Sequence, residues 1–206
     1  ILVILESRNG ELRKTNSSIL GAAHKLAKKN SGSTYALLTE KATYDCDSIG
    51  KEGADHILYT NNEQHSADVT AKVAAKVVEE NDISIVLTAS TVRGRDITPR
   101  IAALLNTSFV GDCIDIDTEN LIFTKSIRGG KALSKIQIVT PIKVASLRSN
   151  FFSPVQTDKT ATASETLNDC EPQSIVEQIK PQDSARPDVS EASVVVSGGR
   201  GLNGPE

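Results

Sequence analysis

The chain has 206 residues, 24% of them charged, a formal net charge of -3, three cysteines, and neither Met nor Trp. That length admits one or two domains with a sizeable core, and the slight acidity excludes a general basic footprint for nucleic acid or an anionic membrane. Cys46, Cys113 and Cys170 lie far apart without a C-x-x-C, which argues against a disulfide framework and for a reducing compartment.

The opening ILVILESRNG passes from an apolar pentad straight into charge, with no basic leader, no long apolar region and no transmembrane stretch. With no initiator Met, the numbering is expected to begin inside the natural translation product. Ile1 to Leu5 reads as a strand. Ser17 to Lys29 places Ile19, Leu20, Ala23, Leu26 and Ala27 at helical spacing with lysines opposite. Thr34 to Thr39 is a second strand, Asp47 to Glu52 a short helical turn, His56 to Tyr59 a third strand, Ala67 to Glu80 a helix, and Ser84 to Thr88 a fourth strand. A helix is then expected from Asp96 or Ile97 to Leu105, with Pro99 in its first turn, where an N–H has no intrahelical partner. Strands separated by helices call for right-handed crossovers and a parallel sheet covered on both faces.

From Phe109 the pattern changes. FVGDCIDID, LIFTKSIRGGKALSKIQIVT and KVASLRS read as three or four strands without helices, turning at Gly129-Gly130. Residues 153 to 173 are rich in Ser, Thr and Asp and poor in large apolar groups, the composition of a linker or a surface-wrapping segment with little regular structure. SIVEQIK offers one short element, and Ser193 to Ser197 reads as the strand that opens a further α/β domain.

The search for chemistry is mostly negative. His24, His56 and His65 show no metal-ligand spacing, Glu79-Glu80 and Asp115/Asp117 read as solvated faces, and neither a nucleophile elbow nor a phosphate-binding P-loop occurs. Two features remain. In TASTVRGRDITPRIAALL, Arg93 and Arg95 sit at the carboxyl end of the fourth strand, where open α/β sheets bind ligands; Asp96 is placed to cap the helix and Arg100 to pair with a carboxylate or another chain. An anion or partner site and a purely structural role are both open there. The second feature is Gly199-Arg200-Gly201-Leu202-Asn203-Gly204, a G-x-G-x-x-G after an apolar run. The helix, second strand and acidic residue that a dinucleotide fingerprint requires are not in this sequence.

Several segments, in order, resemble one family. Gly94, Asp96, Pro99, Arg100, Ala102, Ala103 and Leu105 after SIVLTAS are similar to the G-x-D-x-x-P-R-x-A-A-x-L segment of the electron transfer flavoprotein alpha subunit. IRGGKALSKIQ and KVASLRSNFF resemble its hairpin and following strand, and RPDVSEASVVVSGGRGL is similar to its R-P-E-L-x-x-A-x-V-V-V-S-G-G-R-G-L. The tail Asn203-Gly204-Pro205-Glu206 departs from the family's usual K-S-G-E-N-F.

The resemblance implies a redox carrier with no catalytic residues of its own. It implies one FAD held mainly by a second domain, AMP in a beta subunit that completes a heterodimer, electrons received from flavin dehydrogenases such as acyl-CoA dehydrogenases, and delivery to a quinone oxidoreductase. By residue match, Arg200 is the flavin-binding arginine, with Gly199 and Gly201 beside it. The expected fold is α/β: a Rossmann-like, mainly parallel sheet with helices on both faces and an antiparallel extension, followed by the start of a second α/β FAD domain. Residues 1–152 are expected as the first domain packing on the beta subunit, 153–185 as the linker or wrapping segment hinging near Arg186-Pro187, and 186–206 as the beginning of a mobile FAD domain that continues past Glu206. No nucleic acid and no direct membrane insertion are expected. The location would be cytoplasmic in a bacterium and the mitochondrial matrix in a eukaryote. Two alternatives stay open: a nucleotide-binding signalling module of the adenine-nucleotide-binding α/β class, and an NAD-dependent Rossmann oxidoreductase.

Overall fold

Helix and strand alternate along the first hundred residues because the apolar period alternates between 3.6 and 2. A computed structural model describes residues 1–166, 170–178, 189, 194–199, 201 and 204. In chain order the elements are β1 (Leu2–Ile4), β2 (Ser7–Arg8), β3 (Glu11–Leu12), α1 (Thr15–Lys29), β4 (Tyr35–Leu38), α2 (Cys46–Lys51), β5 (His56–Tyr59) and α3 (Ala67–Glu80). There follow β6 (Ile85–Ala89), α4 (Val92–Leu104), β7 (Phe109–Asp117), β8 (Ile122–Ile127), β9 (Ala132–Gln137), β10 (Lys143–Leu147) and β11 (Thr162–Glu165).

Nine strands form one sheet in the order β11-β5-β4-β1-β6-β10-β7-β8-β9. All neighbours from β11 to β7 are parallel, and β7-β8 and β8-β9 are antiparallel. This is the expected mainly parallel α/β sheet with its antiparallel extension. Successive side chains of β1 point to opposite faces, so Val3 and Leu5 pack with Ile19, Leu20, Ala23 and Leu26 of α1 and Ile49 of α2. Leu2 and Ile4 pack on the other face with Val69, Val73 and Val77 of α3 and Ile97 and Ile101 of α4. Lysines end α1, where cations complement the helix dipole, and the Asn30 side chain closes it by donating to the Leu26 carbonyl at 2.8 Å.

Three expectations are corrected. First, α4 begins at Val92 and not at Asp96 or Ile97: Thr91 is the N-cap, its hydroxyl accepting from the Gly94 N–H at 3.0 Å. Pro99 is therefore inside the helix, and Asp96 is not its cap. A Cβ at Gly94 would lie 1.8 Å from the Ala89 carbonyl oxygen, so glycine is what lets the first turn close onto β6. Second, residues 153 to 173 carry little regular structure among those described, as expected, but the four residues Thr162–Glu165 form a strand that was not foreseen. The chain runs over Gly21 and Gly50, where a Cβ would meet Ser153 O and Ala161 N at 2.5 Å each, and then adds β11 to the edge of β5. Third, Val194–Val196 are exposed and form no strand, and among the described residues no strand pairs with them. Residues 186–188, 190–193, 200, 202–203 and 205–206 lie outside the described residues, so the hinge at Arg186-Pro187 and the arginine at 200 do as well.

One small element was not anticipated. Asn9-Gly10, with φ of 54° and 80°, turns β2 back on β3 as an Asn-Gly hairpin.

Candidate functional site: a cationic cleft at the sheet's switch point

β1 and β6 lie side by side. The chain leaves β1 toward β4 on one side and reaches β6 only after crossing back through α3. Their carboxyl ends thus form the crevice at which the winding direction reverses, the position where open α/β sheets hold ligands. α1 starts on one side of it and α4 on the other.

The floor is a buried polar network. Glu6, just past β1 and 4% exposed, accepts from the Thr91 hydroxyl and pairs with Arg13 Nη1 at 3.4 Å. Asn16 fixes its backbone: Oδ1 accepts the Glu6 N–H at 3.0 Å and Nδ2 donates to the Glu6 carbonyl at 2.9 Å. Burial pushes the Glu6 carboxyl above the usual range, against the opposing pull of Thr91, Arg13 and Arg93. Glu40, past β4, accepts from Ser7 Oγ at 2.8 Å and from Arg93 Nη1 at 2.5 Å, and Arg93 also donates to the Ser7 carbonyl at 3.0 Å.

One wall comes from Arg148, Ser149 and Asn150, just past β10, and Arg148 is held from behind by β7. Asp112 sits at φ 64°, where the register of β7 slips against β10; the bulge turns it toward Arg148, whose Nε donates to Asp112 Oδ1 at 3.1 Å. Arg148 holds the Asp112 carboxyl below its usual range, against a smaller upward push from burial. The Arg148 guanidinium also lies 5.4 Å from the Phe151 ring centre. Between floor and wall is a cleft of about 640 Å³, lined among others by Arg8, Arg13, Thr15, Arg93, Arg95 and Arg148.

Of the sequence candidates, Arg93 and Arg95 reach this cleft, whereas Arg100 turns to solvent and pairs with Asp96 at 2.9 Å. Arg8, Arg13 and Arg148 come from other segments and were not singled out. The glycine inside the β7 pattern, Gly111, is the sequence signal that marks the bulge beside Asp112. Gly199 and Gly201 stand apart from the cleft lining, and a Cβ built on either meets no heavy atom within 4 Å. His56 Nδ1 lies 2.9 Å from Thr162 Oγ1 and its ring stacks on Tyr35, while burial holds His65 below its usual pKa. Among the described residues no three His, Cys, Asp or Glu side chains are grouped to hold a metal ion, and no helix is long and apolar enough to cross a membrane. Cys113 is buried, and burial pushes its thiol up to about 12.

The family model described as the electron transfer flavoprotein domain matches residues 1–171, the whole α/β unit with its edge strand. The chain belongs to that family. Over its full length it is 31% identical to "Protein FixB" of Clostridium saccharobutylicum and 32% identical to the electron transfer flavoprotein subunit alpha of Clostridium acetobutylicum, and it covers 65% and 66% of these relatives. It is 30% identical to a probable electron transfer flavoprotein subunit alpha, mitochondrial, of Cryptococcus neoformans, 61% of which it covers. The chain thus spans a little under two thirds of the length of such relatives. The charged cleft lies within the matched residues and Gly199 and Gly201 lie beyond them, so the two call for separate accounts.

Proposed function

We propose that this chain is the first domain and the beginning of the second in an electron transfer flavoprotein alpha subunit, and that the protein carries electrons through a bound flavin. The observation that carries this reading is the family match over residues 1–171, on a fold with the expected parallel sheet and antiparallel extension. Residues 1–152 serve as a scaffold that packs on a beta subunit, 153–185 wrap and link, and 186–206 open an FAD domain. Electrons enter from flavin dehydrogenases of the acyl-CoA type and leave to a quinone oxidoreductase, with AMP held by the beta partner. The protein does no bond-making chemistry of its own.

Glycines at 199 and 201 would let a ligand group approach the main chain closely. FAD would supply the one- and two-electron chemistry. Arg200 between the two glycines would present a planar cation to a phosphate or to the ring of a reduced, anionic flavin. Arg200→Ala, made in the protein expressed from its complete gene together with its beta partner, should lower FAD content or the flavin's reduction potential. The expected loss is about 1.5–3 kcal/mol, typical of a hydrogen bond to a charged group. Arg200→Lys should restore only part of it. A complete protein that elutes as a colourless single subunit, or an Arg200→Ala variant with unchanged FAD content and midpoint potential, would overturn the reading.

A further inference from the structure

The stretch 157–166 lies on the sheet's edge without becoming part of its interior. We propose that it is a releasable strap, which detaches as a unit by pivoting at Gln156 while the strands beneath it stay folded. Burial is the first argument. Ala161 is the one buried residue of the stretch, and all four residues of β11 are exposed. Ala161 offers only a methyl group to the core, so release forfeits little apolar burial. Before the pivot the chain is held more firmly. Phe152 packs against the core, and Ser153 and Val155 are seated on Gly21 and Gly53, where a Cβ would meet Ser153 O at 2.5 Å and Val155 Cγ2 at 3.1 Å. Among the described residues Gln156 has no hydrogen-bond partner, so it can turn without breaking a bond.

The kind of ties is the second argument. The Thr157 N–H donates to the Lys51 carbonyl at 2.8 Å, the Ala161 N–H to the Cys46 carbonyl at 3.3 Å, the Thr162 N–H to the Asp55 carbonyl at 3.1 Å and the Thr166 N–H to the Tyr59 carbonyl at 2.9 Å. The side-chain ties of Lys159, Thr160 and Glu165 lie at the exposed surface, where water replaces each bond as it breaks. The sheet does not need the strap in return. β5, onto which β11 is added, is paired with β4 at all four of its residues, and Ile57 and Leu58 are packed in the two cores. Few buried apolar groups and many exposed bonds are the marks of a segment that opens by itself.

Release lengthens the free chain that leads away from the sheet. As a flexible chain the stretch 157–166 would span roughly 16–19 Å, so docking and release set how far the residues that follow can move from the body.

Lys159 is the one tryptic site of the strap and supplies the test. A protease needs extended, unpaired chain on both sides of the bond it cuts. In the docked strap Thr157 and Ala161 tie those flanks to Lys51 and Cys46, so cleavage after Lys159 reports the open state. The complete protein with its beta partner is treated with trypsin under native conditions, and the fragment ending at Lys159 is followed by mass spectrometry. Amide hydrogen exchange is measured in parallel. The Thr157, Ala161, Thr162 and Thr166 amides are expected to exchange together, at least tenfold faster than that of Leu5, which is bonded to the Leu37 carbonyl of β4. His56 and Thr162 are register partners on adjacent strands, at a spacing that a disulfide can bridge. The double variant His56→Cys with Thr162→Cys should, when oxidised, be cut after Lys159 at least tenfold more slowly than the same protein reduced. Gly50→Ala, which presses on the seated strap, should be cut about tenfold faster than wild type, with exchange in β8 and β9 unchanged. Equal cleavage of the oxidised and reduced forms, strap amides that exchange no faster than Leu5, or a Gly50→Ala protein cut at the wild-type rate overturns the strap. Flavin enters neither readout. A colourless protein would sink the carrier reading and leave the strap standing, and a flavin-loaded protein that resists cleavage after Lys159 in every form would do the reverse.

Discussion

The sheet's two edges are built on opposite principles. At one end, β8 and β9 follow β7 by short antiparallel turns, and the edge is anchored by apolar burial: Phe123 is 0% exposed and Ile136 packs against the same core. At the other end, β11 is wholly exposed and joins β5 in parallel only after the chain has passed through every other strand. What holds it is mainly polar and steric, with Ala161 its one buried core residue. Thr157 Oγ1 donates to the Gly50 carbonyl at 2.9 Å, Thr160 Oγ1 to Asp47 at 2.7 Å, Lys159 Nζ to Asp55 at 2.5 Å and Asn61 Nδ2 to Glu165 at 2.6 Å, while the backbone beds onto Gly50 and Gly21. A hydrophobic edge is coupled to the core; a polar edge seated on glycines is coupled to the surface. The two should therefore come apart under different perturbations.

The largest effect is expected from Phe123→Ala, which empties a fully buried aromatic site and should cost about 3–5 kcal/mol in urea denaturation. A loss under about 1 kcal/mol would mean that the hairpin edge is not part of the cooperative core. Next is Gly50→Ala, whose Cβ would press on Ala161 N and Lys159 O at 2.5 and 2.6 Å. The segment must lift, at a cost of roughly 1–3 kcal/mol. Hydrogen exchange should rise over residues 157–165 and stay unchanged in β8 and β9. Equal loosening of both edges would erase the distinction drawn here.

Acid should weaken both sides, because each carries a carboxyl held below its usual value. For Asp112 the leading cause is the Arg148 hydrogen bond; for Asp55 burial pushes upward but is outweighed by Lys159 and by the Thr34 N–H. A depressed folded pKa means that the stabilisation is fully present above the ordinary aspartate value of 3.8 and is lost as pH falls through the folded value. Asp112→Asn should flatten the acid limb of stability on the hairpin side, seen in exchange of β7 and β10 amides, and leave β11 as acid-sensitive as before. The smallest effect is that of Lys159→Ala. Its pair with Asp55 is 45% and 24% exposed, so solvent screening limits the loss to at most about 1 kcal/mol, confined to the wrapping segment.

The same contrast explains what could be read from the sequence. Local periodicity carries β1, α1, α3 and β6, and the Gly129-Gly130 turn carries the hairpin, because each of these elements declares its buried face within its own residues. β11 has no such face: Thr-Ala-Ser-Glu pairs only because β5 and the glycine seats are already in place. Two of the cleft's five arginines were legible for a related reason. Arg93 and Arg95 lie within a single segment after an evident strand, whereas Arg8, Arg13 and Arg148 join them only when β1, β6 and β10 come together in the sheet. The start of α4 falls earlier than expected because Pro99, which suits a first turn, is here inside the helix, with Thr91 capping it.

The late pairing of β11 also bears on biosynthesis. His56 and its strand partner Thr162 are 106 residues apart, so a ribosome working at about 5–20 residues per second needs roughly 5–20 s between making the two. Through that interval the nascent sheet presents the amides of His56–Tyr59, with apolar Ile57 and Leu58 between them, as an open template for a neighbouring chain. Translation speed beyond residue 60 and chaperone access to that edge are thus expected to set the aggregation yield of this protein, even where its equilibrium stability is unchanged.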